Sequence, residues 1–277
     1  MNLYDEACLE CSKVVTLKYS TSFSKGIHAF SKPYRYPIYA IYGFVRCADE
    51  IVDTFHDKDK LQLLTSFKNQ TFSAIEQGIS TNPILHAFQL VANKYQIDNE
   101  LIGIFLSSME TDLNQNMHDQ LSYNDYIFGS AEVVGLMCLK VFCYGDEPLY
   151  QQLQGHARSL GAAFQKVNFL RDMRADLDER GRVYFPGINF ENFSEADKRQ
   201  IEQDVKADFE DAYIGIKQLP KGARLGVYIA YKYYLQLFRK ISGTPAQTLL
   251  QKRVRVSGAR KLSLYCGAFI QQKLNFV

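Results

Sequence analysis

Apolar side chains recur along this chain at spacings of three and four residues, over segments long enough to be helices. No stretch shows the period of two that a half-buried strand requires. The pattern predicts helices over 3–20, 36–54, 58–77, 83–95, 98–117, 123–143, 147–175, 195–215, 221–242 and 257–273. Asn82-Pro83, Glu147-Pro148 and Leu219-Pro220 mark helix starts, where proline's missing N–H is no loss. Ser194, followed by Glu195 and Asp197, is an N-cap with acidic first-turn residues. Gly181 to Gly187 breaks the period and reads as a loop. No repeat, low-complexity tract or linker interrupts the series, so residues 1–277 read as one all-α domain.

Composition narrows the function. The net charge is +2, which gives no reason to expect a nucleic-acid partner. The chain has 18 Tyr and 19 Phe but no Trp, so much apolar area must be buried in a core or around a greasy ligand. Cys8 and Cys11 form a C-x-x-C pair, but no second pair or clustered His completes a tetrahedral metal site. The six cysteines read as reduced thiols, and His28, His56, His86, His118 and His156 show no ligand spacing to one another. The first ten residues lack the apolar core of a signal peptide, and no apolar run is long enough to span a bilayer. A cytoplasmic protein, able to rest on a membrane surface, is expected.

Two segments carry chemistry. Tyr42, Arg46, Asp49 and Asp53 step by four, three and four residues, which sets them on one stripe of a helix. Gln165, Asn168, Asp172 and Asp176 step by three, four and four, and share a stripe in the same way. The flanking residues are largely apolar, so each stripe should face a partner or a cavity rather than bulk water. One such pair of aspartates would ordinarily be a solvated face; two, each with an arginine beside it, point to a site. Facing each other, the stripes would form an oxygen-rich cage without His or Cys, which suits Mg²⁺ completed by substrate phosphate oxygens. Arg46 and Arg171 can add charge-assisted hydrogen bonds to those phosphates.

These segments resemble the aspartate-rich motifs of the squalene and phytoene synthase family. The first family motif, Y-x-x-x-R-x-x-D-[DE]-x-x-D, is matched by Tyr42, Arg46, Asp49, Glu50 and Asp53. The second, Q-x-x-N-x-L-R-D-x-x-[ED]-D, is matched by Gln165, Asn168, Leu170, Arg171, Asp172 and Asp176, with Ala175 where an acid is usual. Tyr19-Ser20-Thr21-Ser22-Phe23 resembles the substrate-contacting segment, with Tyr19 in place of a frequent His. Tyr126 and Gly129 to Gly135 resemble the small-residue helix of the substrate tunnel, and Tyr233 and Arg253 match late positions.

The resemblance implies the all-α isoprenoid synthase fold, a helical bundle around a central tunnel. It implies head-to-head joining of two prenyl diphosphates through a cyclopropylcarbinyl diphosphate. Asp49, Asp53, Asn168, Asp172 and Asp176 are the expected Mg²⁺ ligands. Tyr19, Ser20, Thr21, Ser22, Phe23, Tyr42, Arg46, Gln165, Arg171, Tyr233 and Arg253 are the expected substrate contacts. Tyr42, Arg46, Tyr126, Arg171 and Tyr233 are the expected catalytic set, the tyrosine rings facing a carbocation. Similarity of Ser130 to Met137 to bacterial phytoene synthases favours C20 donors and phytoene. Dehydrosqualene or squalene from C15 donors, and a non-catalytic prenyl-lipid-binding or assembly protein of the same fold, stay open. No glycine-rich dinucleotide fingerprint favours a reductive outcome. Lys252, Arg253, Arg255, Arg260 and Lys261 form a basic cluster, either a solvated face or a patch for anionic headgroups.

Overall fold

The computed structural model describes the backbone of residues 2–114, 119–180, 184–188 and 193–273. All regular structure among them is helical. Asn2 opens α1 (Leu3–Tyr19) through a capping box with Asp5. Ser20 then turns to an extended conformation and its hydroxyl accepts from the N–H of Phe23, starting a separate helix, α2 (Thr21–Ala29). The predicted 3–20 helix is thus followed by one that periodicity passed over.

The next helix, α3 (Lys32–Asp53), begins four residues before the expected point, because Pro33 sits in its first turn. It is followed by α4 (Lys60–Gln77), α5 (Pro83–Tyr95) and α6 (Asn99–Asn114). The Asn82 side chain caps α5, and Gly78 closes α4 in the left-handed region, where a side chain would be strained. The expected 123–143 helix is three pieces: α7 (Gln120–Ile127), a π-helical turn over Phe128–Glu132, and α8 (Val133–Phe142). The extra residue of a π turn rotates all that follows, and such turns gather at functional sites.

The longest helix, α9 (Glu147–Arg180), outruns its predicted end. Then come α10 (Glu195–Gln218), α11 (Lys221–Ser242), the short α12 (Ala246–Leu249) and α13 (Gly258–Lys273). A capping box between Ser194 and Asp197 starts α10, as its sequence predicted. Of the expected 181–187 loop, Tyr184 to Gly187 are non-helical, and residues 181–183 lie outside the described residues.

Two faces of α3 do different work. One is core: Phe44 is fully buried, stacked 3.9 Å from Phe88 and 5.7 Å from Phe67, and 5.4 Å from Phe105. The other lines a central cavity. α8 and α9 close one side of that cavity at near-contact distance. A Cβ on Gly161 would stand 2.7 Å from the carbonyl oxygen of Ala131, and one on Gly135 would stand 2.8 Å from that of Ala157. Only glycine permits this approach.

Candidate active site

The cavity is about 650 Å³ and is walled mainly by α2, α3, α8, α9, α10 and α11. Its chemistry is graded from end to end. Along α3 the wall reads Ile38, Ile41, Tyr42, Val45, Arg46, Asp49 and Asp53. Along α9 it includes Leu153, His156, Ala157, Leu160, Phe164, Gln165, Asn168 and Asp172, with His156 a polar exception near the apolar end. From α7 into α8 the order is reversed, from Tyr126 through Val134 and Cys138 to Phe142. Three helices therefore agree on one apolar end and one acidic end. The apolar end is floored by aromatics, with Phe30 at 5.2 Å from Phe142 and Tyr34 at 5.7 Å from it. Among the apolar walls Cys138 behaves as a small hydrophobe, its thiol pushed up to about 12 by burial.

At the acidic end the two predicted stripes line the same cavity. Asp49 keeps 34% of its side chain accessible within that concave wall. Burial pushes its carboxyl up to about 7; Asp53, Asp112 and Glu50 push the same way, against the opposing Arg46. Arg46 is 3.9 Å from Asp49 and hydrogen-bonded to Glu50, and its guanidinium lies 4.5 Å from the Tyr19 ring centre. Among the described residues its buried Nε has no hydrogen-bond partner. Such an orphan donor at the mouth of an acidic cage is poised for an anionic oxygen.

On α9, Asp172 is held by two arginines. Arg171 Nε donates to Oδ1 at 3.0 Å, Arg253 Nη2 donates to Oδ2 at 3.2 Å, and Arg253 Nε forms an ion pair with Oδ1 at 2.6 Å. Burial works against the Arg171 charge, and the hydrogen-bonded Asp172 outweighs it, leaving the guanidinium above its ordinary range. Asn168 Oδ1 accepts from the Tyr234 hydroxyl at 3.3 Å. The backbone of Asp176 continues α9, and its side chain lies outside the described residues.

Above the oxygens stands an aromatic cage. Phe164 and Tyr234 stack at 3.9 Å, and Phe23 lies 5.8 Å from Tyr42 and 6.0 Å from Tyr234. A second stack joins Phe169, Tyr184 and Tyr126, with Phe169 and Tyr184 4.0 Å apart and Tyr126 5.3 Å from Tyr184. Tyr126 donates to Asp112 Oδ2 at 2.8 Å, and burial holds its phenol well above the ordinary value.

The structure brings Tyr19, Ser20, Phe23, Tyr42, Arg46, Asp49, Asp53, Tyr126, Gln165, Asn168, Arg171, Asp172 and Arg253 to the cavity wall. Thr21 and Ser22 are not on that wall. Thr21 is exposed at the first position of α2, with Lys261 Nζ 3.4 Å from its hydroxyl. The expectation for Tyr233 is corrected by one residue: its ring faces Lys261 at 4.9 Å, and the wall residue is Tyr234. Successive helical residues point about 100° apart, and the Tyr233-Tyr234 doublet hides which one turns inward. Asp112, on α6, was not singled out from sequence. It is a lone acid without a second carboxylate at helical spacing on its own face, and only the fold sets it opposite Asp49 and Asp53.

Carboxylate and amide oxygens with adjacent guanidiniums are the donor set of a Mg²⁺–diphosphate site. Among the described residues no three His, Cys, Asp or Glu side chains converge tightly enough to hold a metal alone.

A family model described as "Squalene/phytoene synthase" matches residues 16–260. The 4,4'-diapophytoene synthase of Staphylococcus haemolyticus is 26% identical over 214 residues, which are 75% of this chain and 72% of that protein. Phytoene synthase 1, chloroplastic, of Zea mays is 25% identical over 287 residues, 93% of this chain and 66% of the maize protein's length. Among solved structures, a dehydrosqualene synthase crystallised in complex with ligand superposes with a TM-score of 0.81 at 20% identity, over 97% of this chain and 98% of that one. The likeness extends to the fold, which is that of the isoprenoid synthases.

Proposed function

Because the chain belongs to the squalene/phytoene synthase family, we propose that it condenses two prenyl diphosphates head to head in a Mg²⁺-dependent reaction, and that its donors are C20 and its product phytoene. The observation that carries the reading is the graded cavity, with carboxylates and a buried unpartnered Arg46 Nε at one end and an apolar, aromatic-floored channel behind them. A diphosphate needs the first and a polyprenyl chain needs the second.

Asp49 and Asp53 from α3, with Asn168, Asp172 and Asp176 from α9, would hold the metal. Bound Mg²⁺ would supply the positive charge that lets a diphosphate enter among carboxylates and leave as a stable anion. Arg46 and Arg171 bind and orient phosphate oxygens, and Arg253 reaches the same place from the loop before α13. The first allylic diphosphate ionises, and the double bond of the second donor attacks the cation. Proton loss gives the cyclopropylcarbinyl diphosphate, which ionises in turn, rearranges and loses a second proton. The released diphosphate is the acceptor of those protons in this reading; His156, paired through Nδ1 with Asp211 at 2.9 Å, also lines the cavity, beside Leu153 and Ala157. The faces of Phe23, Tyr42, Phe164 and Tyr234 stabilise positive charge through their ring quadrupoles. The dry channel keeps water from quenching the cation.

Depth supports C20. Tyr126 and Phe142 are sixteen residues apart on the wall, at most ~24 Å at the α-helical rise of ~1.5 Å per residue, and somewhat less because the π turn Phe128–Glu132 lies between them. Four isoprene units, each four C–C bonds of about 1.5 Å in zigzag, extend to roughly 20 Å. The second reading, dehydrosqualene from C15 donors, is favoured by the named activities of the Staphylococcus haemolyticus relative and of the superposing crystal structure. Incubation with Mg²⁺ and each donor separately, without NADPH, followed by mass spectrometry, tests both. Phytoene from C20 establishes the proposal, and dehydrosqualene from C15 alone replaces the substrate. Failure with both donors, repeated with NADPH, in folded protein would move a non-catalytic prenyl-lipid-binding role to the front.

A further inference from the structure

Charge is segregated along this chain. No Asp or Glu follows Asp211, whereas eleven Lys and Arg lie between Lys221 and Lys273. That stretch builds α11, α12, the loop 250–257 and α13, and α13 packs on α11. Arg239, Lys240, Lys252, Arg255 and Arg260 are all exposed. Among the described residues none of these five forms an ion pair. Elsewhere exposed cations do find acids, as in Lys206–Glu210 and Arg158–Glu132. Here Arg260 donates to the amide oxygen of Gln236 at 3.0 Å and Lys240 to the carbonyl of Arg255 at 2.7 Å. The cations are close enough to repel. Half-buried Lys232 is pushed below the usual ammonium range by burial and by neighbouring Arg239 and Arg260.

A cluster of like charges with no internal counterion is held together by the fold against its own repulsion. An external anionic surface would relieve that cost. Two details favour a lipid surface. Leu262 stands out of α13 with 55% of its surface exposed, directly after Lys261. The basic face also borders the acidic mouth of the cavity: Arg253 lines that mouth, and Lys261 reaches Thr21 at the start of α2, two residues before Phe23 of the aromatic cage.

We propose that the α11–α13 face docks this protein on the surface of an anionic lipid bilayer, with Leu262 at the headgroup boundary and the cavity mouth beside the membrane. The use of such docking rests on the function proposed above, since a C40 hydrocarbon has no favourable path through water. The docking itself does not need catalysis.

The test is co-sedimentation of the full chain with vesicles of equimolar phosphatidylglycerol and phosphatidylcholine, without substrate. Wild type should bind these vesicles, ignore pure phosphatidylcholine, and be released by high salt. Each cation near an anionic leaflet is worth about fivefold in partitioning, so Arg239→Gln/Lys240→Gln/Arg260→Gln should bind about a hundredfold more weakly. The control Lys58→Gln/Lys94→Gln/Lys206→Gln removes as many cations from α5, α10 and the approach to α4, and should stay within about fivefold. Melting temperatures close to wild type confirm that both are folded. Equal losses in the two triples would overturn the proposal, because net charge alone would then explain binding. So would wild type that ignores anionic vesicles. If the first triple instead lost only kcat/KM towards detergent-dispersed donor, the face would serve diphosphate capture and membrane docking would be refuted. Vesicle binding by a chain that makes no hydrocarbon would leave docking intact and sink the catalytic reading.

Discussion

Adjacent tyrosines on α11 show how much of this site depends on one step of helical phase. Tyr234 is buried, stacks on Phe164 at 3.9 Å and donates to Asn168, a candidate metal ligand. Tyr233 stands edge-on to it at 5.5 Å and faces Lys261. Only the first can present a ring face to a cation in the channel. A desolvated cation–π contact is worth about 2 kcal/mol, or roughly 30-fold in rate. Tyr234→Ala should therefore lower kcat/KM by about that factor in steady-state assays, with Tyr234→Phe recovering most of it because the ring remains. Tyr233→Ala should stay within about threefold, a surface effect below 1 kcal/mol. A larger loss from Tyr233→Ala than from Tyr234→Ala would show that the wall assignment is reversed.

Between elements, the seam of α9 and α10 carries an electrostatic imbalance. Lys166 is nearly buried and pairs with both Asp204 and Asp208, whose side chains are 58% and 19% exposed. One ammonium cannot compensate two carboxylates, and Asp208 lacks the water that Asp204 keeps. Burial pushes the Asp208 carboxyl up to about 6, with Lys166 pulling the other way. A carboxyl with a raised folded-state pKa holds its proton where the unfolded chain has released it. Its contribution therefore favours folding below the unfolded pKa near 4, and is lost as pH rises to about 6. Urea unfolding should show Asp208→Asn removing a decline in stability across that window, with the difference from wild type flat above it. A wild type that instead lost stability relative to Asp208→Asn as pH fell would mean that Lys166 holds Asp208 ionised and outweighs its burial. This seam also shows what could be read in advance. Long helices and side-chain caps such as Ser194 were legible because each is written locally. The nine residues of α2 were not, because its opening Thr, Ser and Ser read as loop and its start depends on the dihedral angles of Ser20. The π turn at Phe128–Glu132 was not, because one extra residue leaves no mark in an apolar run. Both acidic stripes were legible from spacing, whereas Asp112 needed α6 to be folded opposite α3.

At the scale of the molecule the cavity has a gradient, and its two ends ask different things of the fold. On the proposed function the acidic end must stay open to metal and diphosphate, and its side chains are charged and partly accessible. On the same reading the apolar end must stop a prenyl chain, and packed aromatic rings close it. Phe30 and Phe142 both line the cavity and meet at 5.2 Å, and Tyr34 backs Phe142 at 5.7 Å. Phe30 cannot withdraw towards α11, because a Cβ on Gly226 would already lie 2.2 Å from its ring. If this stack is the stop, removing one ring should lengthen the channel without touching the chemistry at the far end. Phe142→Ala should raise kcat/KM for a C25 donor relative to the C20 donor by about tenfold or more, the worth of one or two methylenes' room in an apolar pocket. The cavity will also cost about 3–5 kcal/mol of stability, so Phe142→Leu is the companion variant, with a smaller shift in the same direction. A folded Phe142→Leu and Phe142→Ala pair with unchanged donor preference would place the stop elsewhere, with Leu153 and Leu219 the next walls to truncate.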